Sequence, residues 1–107
     1  NLPADCYFEH HIKVALAIDY DIEALRDLVI SYNGHLSNNP LSKIDSVQHR
    51  FVTQRFYGCG KEYADYKLQS LEEFLKKQNI HIVNTIREFN IYDSNVALDA
   101  GWIVSNE

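Results

Sequence analysis

The 107-residue chain has no methionine and only two cysteines, Cys6 and Cys59. Without a methionine, the chain reads as one domain, 1–107, either trimmed at its start or excised from a longer protein. Two cysteines outside any Cys-x-x-Cys spacing exclude a zinc ribbon or a dithiol redox motif; they are compatible with one disulfide, but the expected reading is a reduced cytosolic protein. Long apolar runs are also lacking. The longest, Val14 to Ile18, is far short of the roughly 20 residues that a membrane-spanning helix needs. The start, Asn1-Leu-Pro-Ala4, has neither the basic nor the apolar region of a signal peptide. Positive charge is in deficit: 10 Lys+Arg stand against 15 Asp+Glu, a formal charge of -5. That balance argues against a general nucleic-acid binder or a membrane-surface binder, either of which carries a basic footprint. The expected location is cytoplasmic.

What is present is a core. A hydrophobic fraction of 46%, with 12% aromatic, suits one folded domain. From Tyr7 to Ile18 the residues alternate, with Phe8, His10, Ile12, Val14 and Leu16 on one face and Glu9, His11, Lys13, Ala15 and Ala17 on the other, as in a half-buried strand. Asp19 and Asp21 are candidate N-caps for a helix from about Asp21 to Asn33, with Ile22, Leu25, Leu28 and Val29 at helical spacing. Asn33-Gly34 is expected to end it, glycine taking the left-handed cap position.

His35 to Pro40 is expected to hold a short edge strand, and Leu41 to Gln48 an irregular connection. The stretch His49 to Tyr57 is the most strand-like run, rich in aromatic and β-branched residues. Lys61 to Gln78 reads as a second helix, with Ala64, Leu68, Leu71 and Leu75 along one stripe. His81 to Tyr92 reads as the last strand, and 93–101 as a short terminal helix, with Trp102 and Ile103 pinning the tail. The order is β-α-β-β-α-β. The expected fold is α+β and ferredoxin-like, a four-stranded antiparallel sheet with both helices on one face and a short C-terminal helix or tail.

The other face of such a sheet is open, and any chemistry should lie there. With Val52 and Phe56 inward, the outward set includes His49, Phe51, Thr53, Arg55 and Tyr57. Either Arg87 with Thr85, or Glu88, joins from the last strand, depending on register. The candidate ligand-binding residues are His11, Lys13, His35, Thr53, Arg55 and Arg87. Arginine's planar fork suits a carboxylate or phosphate. The plainer expectation is that Arg55 pairs with Glu9 or Glu88 across the sheet.

His35-Leu-Ser37 resembles half of the signature of the two-histidine phosphoesterases, whose histidines act as acid and base. No second His-x-Ser/Thr exists in the chain, so that likeness requires two copies brought together. No His-x-His or His-x3-His pair is present, and the adjacent His10 and His11 must point to opposite faces, so no metal site and no cofactor are expected. Cys59, between two glycines before a helix, has the setting of an activated thiol. The simpler reading is a small residue in a tight turn. Asp93 and Asp99 read as a cap and a surface charge.

Gly34-His-Leu-Ser-Asn38, Arg50-Phe-Val-Thr-Gln-Arg55 and Tyr92-Asp-Ser-Asn95, with Leu98-Asp99 and Gly101-Trp102, resemble an uncharacterised bacterial domain family. The resemblance implies a bacterial, cytosolic origin and carries no activity, ligand or cofactor. The expected function is a small binding or regulatory domain that self-associates as a homo-oligomer or holds a small anionic ligand on its open face. The rival is an enzyme for a phosphorylated or carboxylated small molecule, with His11 or His35 as acid/base and Arg55 and Arg87 as an anion clamp.

Overall fold

The computed structural model describes residues 6–91. The expected helix at 93–101, the Trp102–Ile103 anchor and Asp93 and Asp99 lie outside the described residues. The elements are β1 (Cys6–Ala17), α1 (Ile22–Ile30), β2 (Gly34–Leu36), β3 (Ser42–Ile44), β4 (Val47–Tyr57), α2 (Lys61–Lys77) and β5 (His81–Ile91). The fold is α+β, with one antiparallel sheet in the order β2-β4-β1-β5 and β3 also paired to β4. No described helix is long and apolar enough to cross a membrane.

Alternation in β1 and β4 sets the two faces. Phe8, His10, Ile12, Val14 and Leu16 are the register partners of Phe56, Gln54, Val52, Arg50 and Gln48. Ile12, Val14, Leu16 and Val52 enter one core cluster with Leu25 and Val29 of α1 and Leu68, Leu71 and Leu75 of α2. Each apolar stripe is buried because it has a complementary stripe to meet. Truncating one of these leucines costs about 2–5 kcal/mol.

Two polar clamps close this side of the sheet. The buried Gln54 donates through Nε2 to the carbonyls of Tyr32 (2.8 Å) and Lys67 (3.1 Å), and its Oε1 accepts from His10 Nδ1 at 2.9 Å. Because Oε1 only accepts, His10 carries its hydrogen on Nδ1. At the far end, Arg50 donates to Gln48 Oε1 and to the carbonyls of Ser37 and Asn38, while Gln48 donates to Ala17 and Ile18. Polar side chains at strand positions facing the helices are thereby satisfied.

The structure differs from expectation at two places. The sheet has five strands, because Ser42–Ile44 pairs with Val47–His49 about Asp45, which takes a left-handed φ of 59°. Asp tolerates that conformation through its short polar side chain, and three residues are too few to show periodicity. The helix α1 ends at Ile30, and it is Asn33 (φ 62°), not Gly34, that takes the left-handed turn. Gly34 is needed for closeness instead: a Cβ there would lie 3.0 Å from Val52 Cγ1 and 3.1 Å from the Val29 carbonyl oxygen. Cys59 agrees with the simpler of its two readings: it bears a free thiol whose pKa is pushed up by burial, the opposite of an activated nucleophile.

Candidate functional site

On the face away from the helices, side chains fall into rows set by register. Arg55, Glu9 and Glu88 form one row across β4, β1 and β5. His35, Thr53, His11 and Ile86 form the next, from β2 to β5. Lys13 lies one row further, between Phe51 and Asn84, and Tyr7 lies on the other side, between Tyr57 and Asn90.

Five of the six expected site residues, His11, Lys13, His35, Thr53 and Arg55, therefore share this face. Arg87 does not. It is the register partner of His10, which turns it to the helix side, where its guanidinium meets Asp65 of α2. Lys61 also donates to Asp65, at 2.7 Å, and this bond, with Arg87 and against the opposing burial, holds the Asp65 carboxyl below its ordinary pKa. His10, Lys61, Asp65 and Arg87 line a small cavity of about 180 Å³ with Phe8 and Phe89. A clamp made of Arg55 and Arg87 is thus not formed, because consecutive positions of β5 face opposite ways and Glu88 holds the open-face position.

His35, Thr53, Arg55 and Tyr57, with Ser37 and Asn38, line an open depression of about 510 Å³ between β2 and β4. The Ser37 hydroxyl is engaged by the backbone, accepting from Phe51 N and donating to the Asn39 carbonyl.

The centre of the face is Glu9, only 1% exposed. Arg55 donates to its Oε2 and Asn90 to its Oε1 at 3.3 Å, and the Arg55 guanidinium also lies 5.6 Å over the Tyr7 ring. This bond to Glu9, more than the opposing burial, holds the Arg55 pKa above its ordinary value. The cross-strand pair expected for Arg55 is formed, and with Glu9. His11 stands beside it, its Nδ1 3.2 Å from Thr53 Oγ1 and its Nε2 3.8 Å from Glu9 Oε2 and 3.6 Å from Glu88 Oε1.

Glu9 and Glu88 were absent from the expected binding set. Glu9-x-His11 on a strand is a legible signal, since i and i+2 share a face. Glu88 is legible only from the β1–β5 register. No family model, curated protein or solved structure matches the chain, so no function comes to it by similarity.

Proposed function

We propose that this is a small binding or regulatory module that holds a small anionic ligand, a phosphate or carboxylate, in the depression between β2 and β4. The observation behind this reading is the convergence there of His35, Thr53, Arg55 and Tyr57 around about 510 Å³. Among the described residues Arg55 donates to Glu9 alone. Its planar fork carries five donors in all, so the ion pair orients the guanidinium and leaves donors for a ligand. The reading invokes no cofactor.

The same proposal includes a ferredoxin-like assignment with β3 as an added strand, supported by the strand order and by helices that follow β1 and β4. It also includes cytoplasmic residence and self-association. For the latter, β5 offers an 11-residue edge with Val83 and Ile86 exposed, a natural template for a second copy.

The test is the thermal shift produced by inorganic phosphate, measured against chloride at equal ionic strength. We expect stabilisation that is lost in His35→Ala and reduced in Arg55→Lys. A shift unchanged in both variants, or no shift in the parent protein, would overturn the reading.

A further inference from the structure

We propose that Glu9, His11 and Glu88 form a binding site for a divalent transition-metal cation, next to the anion depression.

The geometry is that of a ligand set. Glu9, His11 and Glu88 each offer one ligand atom, and these atoms all lie within 4.8 Å of one another. The His11 nitrogen is 3.8 and 3.6 Å from the two carboxylates, too far for a hydrogen bond. A zinc-like ion bonds nitrogen and oxygen at about 2.0–2.2 Å, which in a tetrahedral arrangement places neighbouring donors ~3.4 Å apart. The two His11–carboxylate distances are within a few tenths of an ångström of that spacing, and rotation of the two carboxylates towards each other would close the rest.

Charge and hydrogen bonding point the same way. Glu9 and Glu88 are direct cross-strand partners, and like charges placed so repel. Of these two carboxylates, Arg55 donates to Glu9 and not to Glu88. Among the described residues, Glu88 Oε1 is enclosed and has no hydrogen-bond partner, a costly condition for a carboxylate oxygen. A cation between the three donors satisfies that oxygen and balances the second carboxylate.

The surroundings are those of a supported site. His11 has its Nδ1 engaged by Thr53, so the ring is oriented with Nε2 towards the carboxylates. Glu9 is held by Arg55 and Asn90. Such outer contacts are what fix metal ligands in place. One imidazole with two carboxylates suits zinc, manganese, iron or cobalt rather than a soft thiophilic ion. Three protein donors leave a coordination position for water or an anion.

The experiment uses untagged, chelator-stripped full chain titrated with Zn²⁺ and with Co²⁺. Binding at one equivalent is expected, with a visible Co²⁺ absorption characteristic of bound nitrogen and oxygen. At about 100 times Kd, Zn²⁺ should raise Tm by roughly 10 °C. Glu88→Gln and His11→Gln should each weaken binding at least tenfold, and each is checked for a native circular-dichroism spectrum. His81→Gln, a control histidine elsewhere on β5, should bind as the parent does. Absence of binding at millimolar Zn²⁺, or binding unaltered by both site variants, overturns the proposal. Phosphate stabilisation of the metal-free protein is scored separately, so failure of the cation site and failure of the anion site are distinguishable.

Discussion

Glu9 and Glu88 face each other directly across the β1–β5 pair, yet only Glu9 is met by a guanidinium. Its Oε2 accepts from Arg55, whereas Glu88 Oε1 is enclosed and without a described hydrogen-bond partner. Two opposed carboxylates with one arginine, which meets Glu9, make the middle of this face electrostatically unbalanced.

Replacing one of the two charges should therefore stabilise the metal-free protein. Glu88→Gln is expected to gain about 0.5 kcal/mol at neutral pH, within the range for cross-strand pairs. Urea denaturation of the stripped protein measures it. A loss of stability would show that Glu88 is held by an attraction outside the contacts described.

Removing Arg55 has the opposite sign. Arg55→Met leaves Glu9 buried without its cation. Breaking a buried pair costs up to 3–5 kcal/mol, but the Arg55 side chain is 43% exposed, and screening by solvent reduces the expected loss to about 1–2 kcal/mol. The double variant Glu9→Gln, Arg55→Met should recover part of that loss in a double-mutant cycle. Additive effects would mean that the pair is not coupled.

Acid sensitivity should trace to His10. Burial lowers its pKa from the ordinary 6.5, the bond to Gln54 opposes this, Arg87 lowers it further, and Asp65 and Glu72 pull it back up. Between the folded pKa and 6.5 the unfolded chain binds a proton that the folded chain refuses. Stability is thus full above about pH 6.5 and falls as pH drops through that value towards the folded pKa. His10→Gln keeps a donor for Gln54 and should flatten the fall between pH 7.5 and 5.5 in urea melts. An unchanged slope would place the titrating group elsewhere.

Gly34→Ala should be destabilising by about 1–3 kcal/mol, the usual range for overpacking a core. The added Cβ meets Val52 Cγ1 at 3.0 Å and the Val29 backbone oxygen at 3.1 Å, and backbone yields less readily than a side chain. Gly34→Ala combined with Val52→Ala should recover part of the loss. Wild-type stability in the single variant would mean that β2 can move outward at little cost.

The faces of β1 and β4 could be read from alternation alone. Phe8 to Leu16 and Val52 with Phe56 go inward, and Glu9, His11, Lys13, Thr53 and Arg55 go outward, because side chains on a strand alternate. The α2 stripe of Ala64, Leu68, Leu71 and Leu75 was legible for the same reason at a period of 3.6, and all four are buried. β5 was not, since its two faces are almost equally polar and periodicity cannot choose between them. Alternation also turns Gln48, Arg50 and Gln54 towards the helices, but the sequence could not show the backbone partners, distant in the chain, that each finds there.

Composition and period by themselves determined the α+β class, the order of the two helices and of four of the five strands, and the sets of residues that share a face within each long strand. Only the tertiary structure decided how the strands register against one another. Register places Glu88 rather than Arg87 beside Glu9, sends Arg87 to Asp65, and brings His35 to Thr53 and Arg55. The reason is physical: alternation is a property of one chain segment, whereas register is a relation between segments, and a one-residue slip moves every side chain to the opposite face.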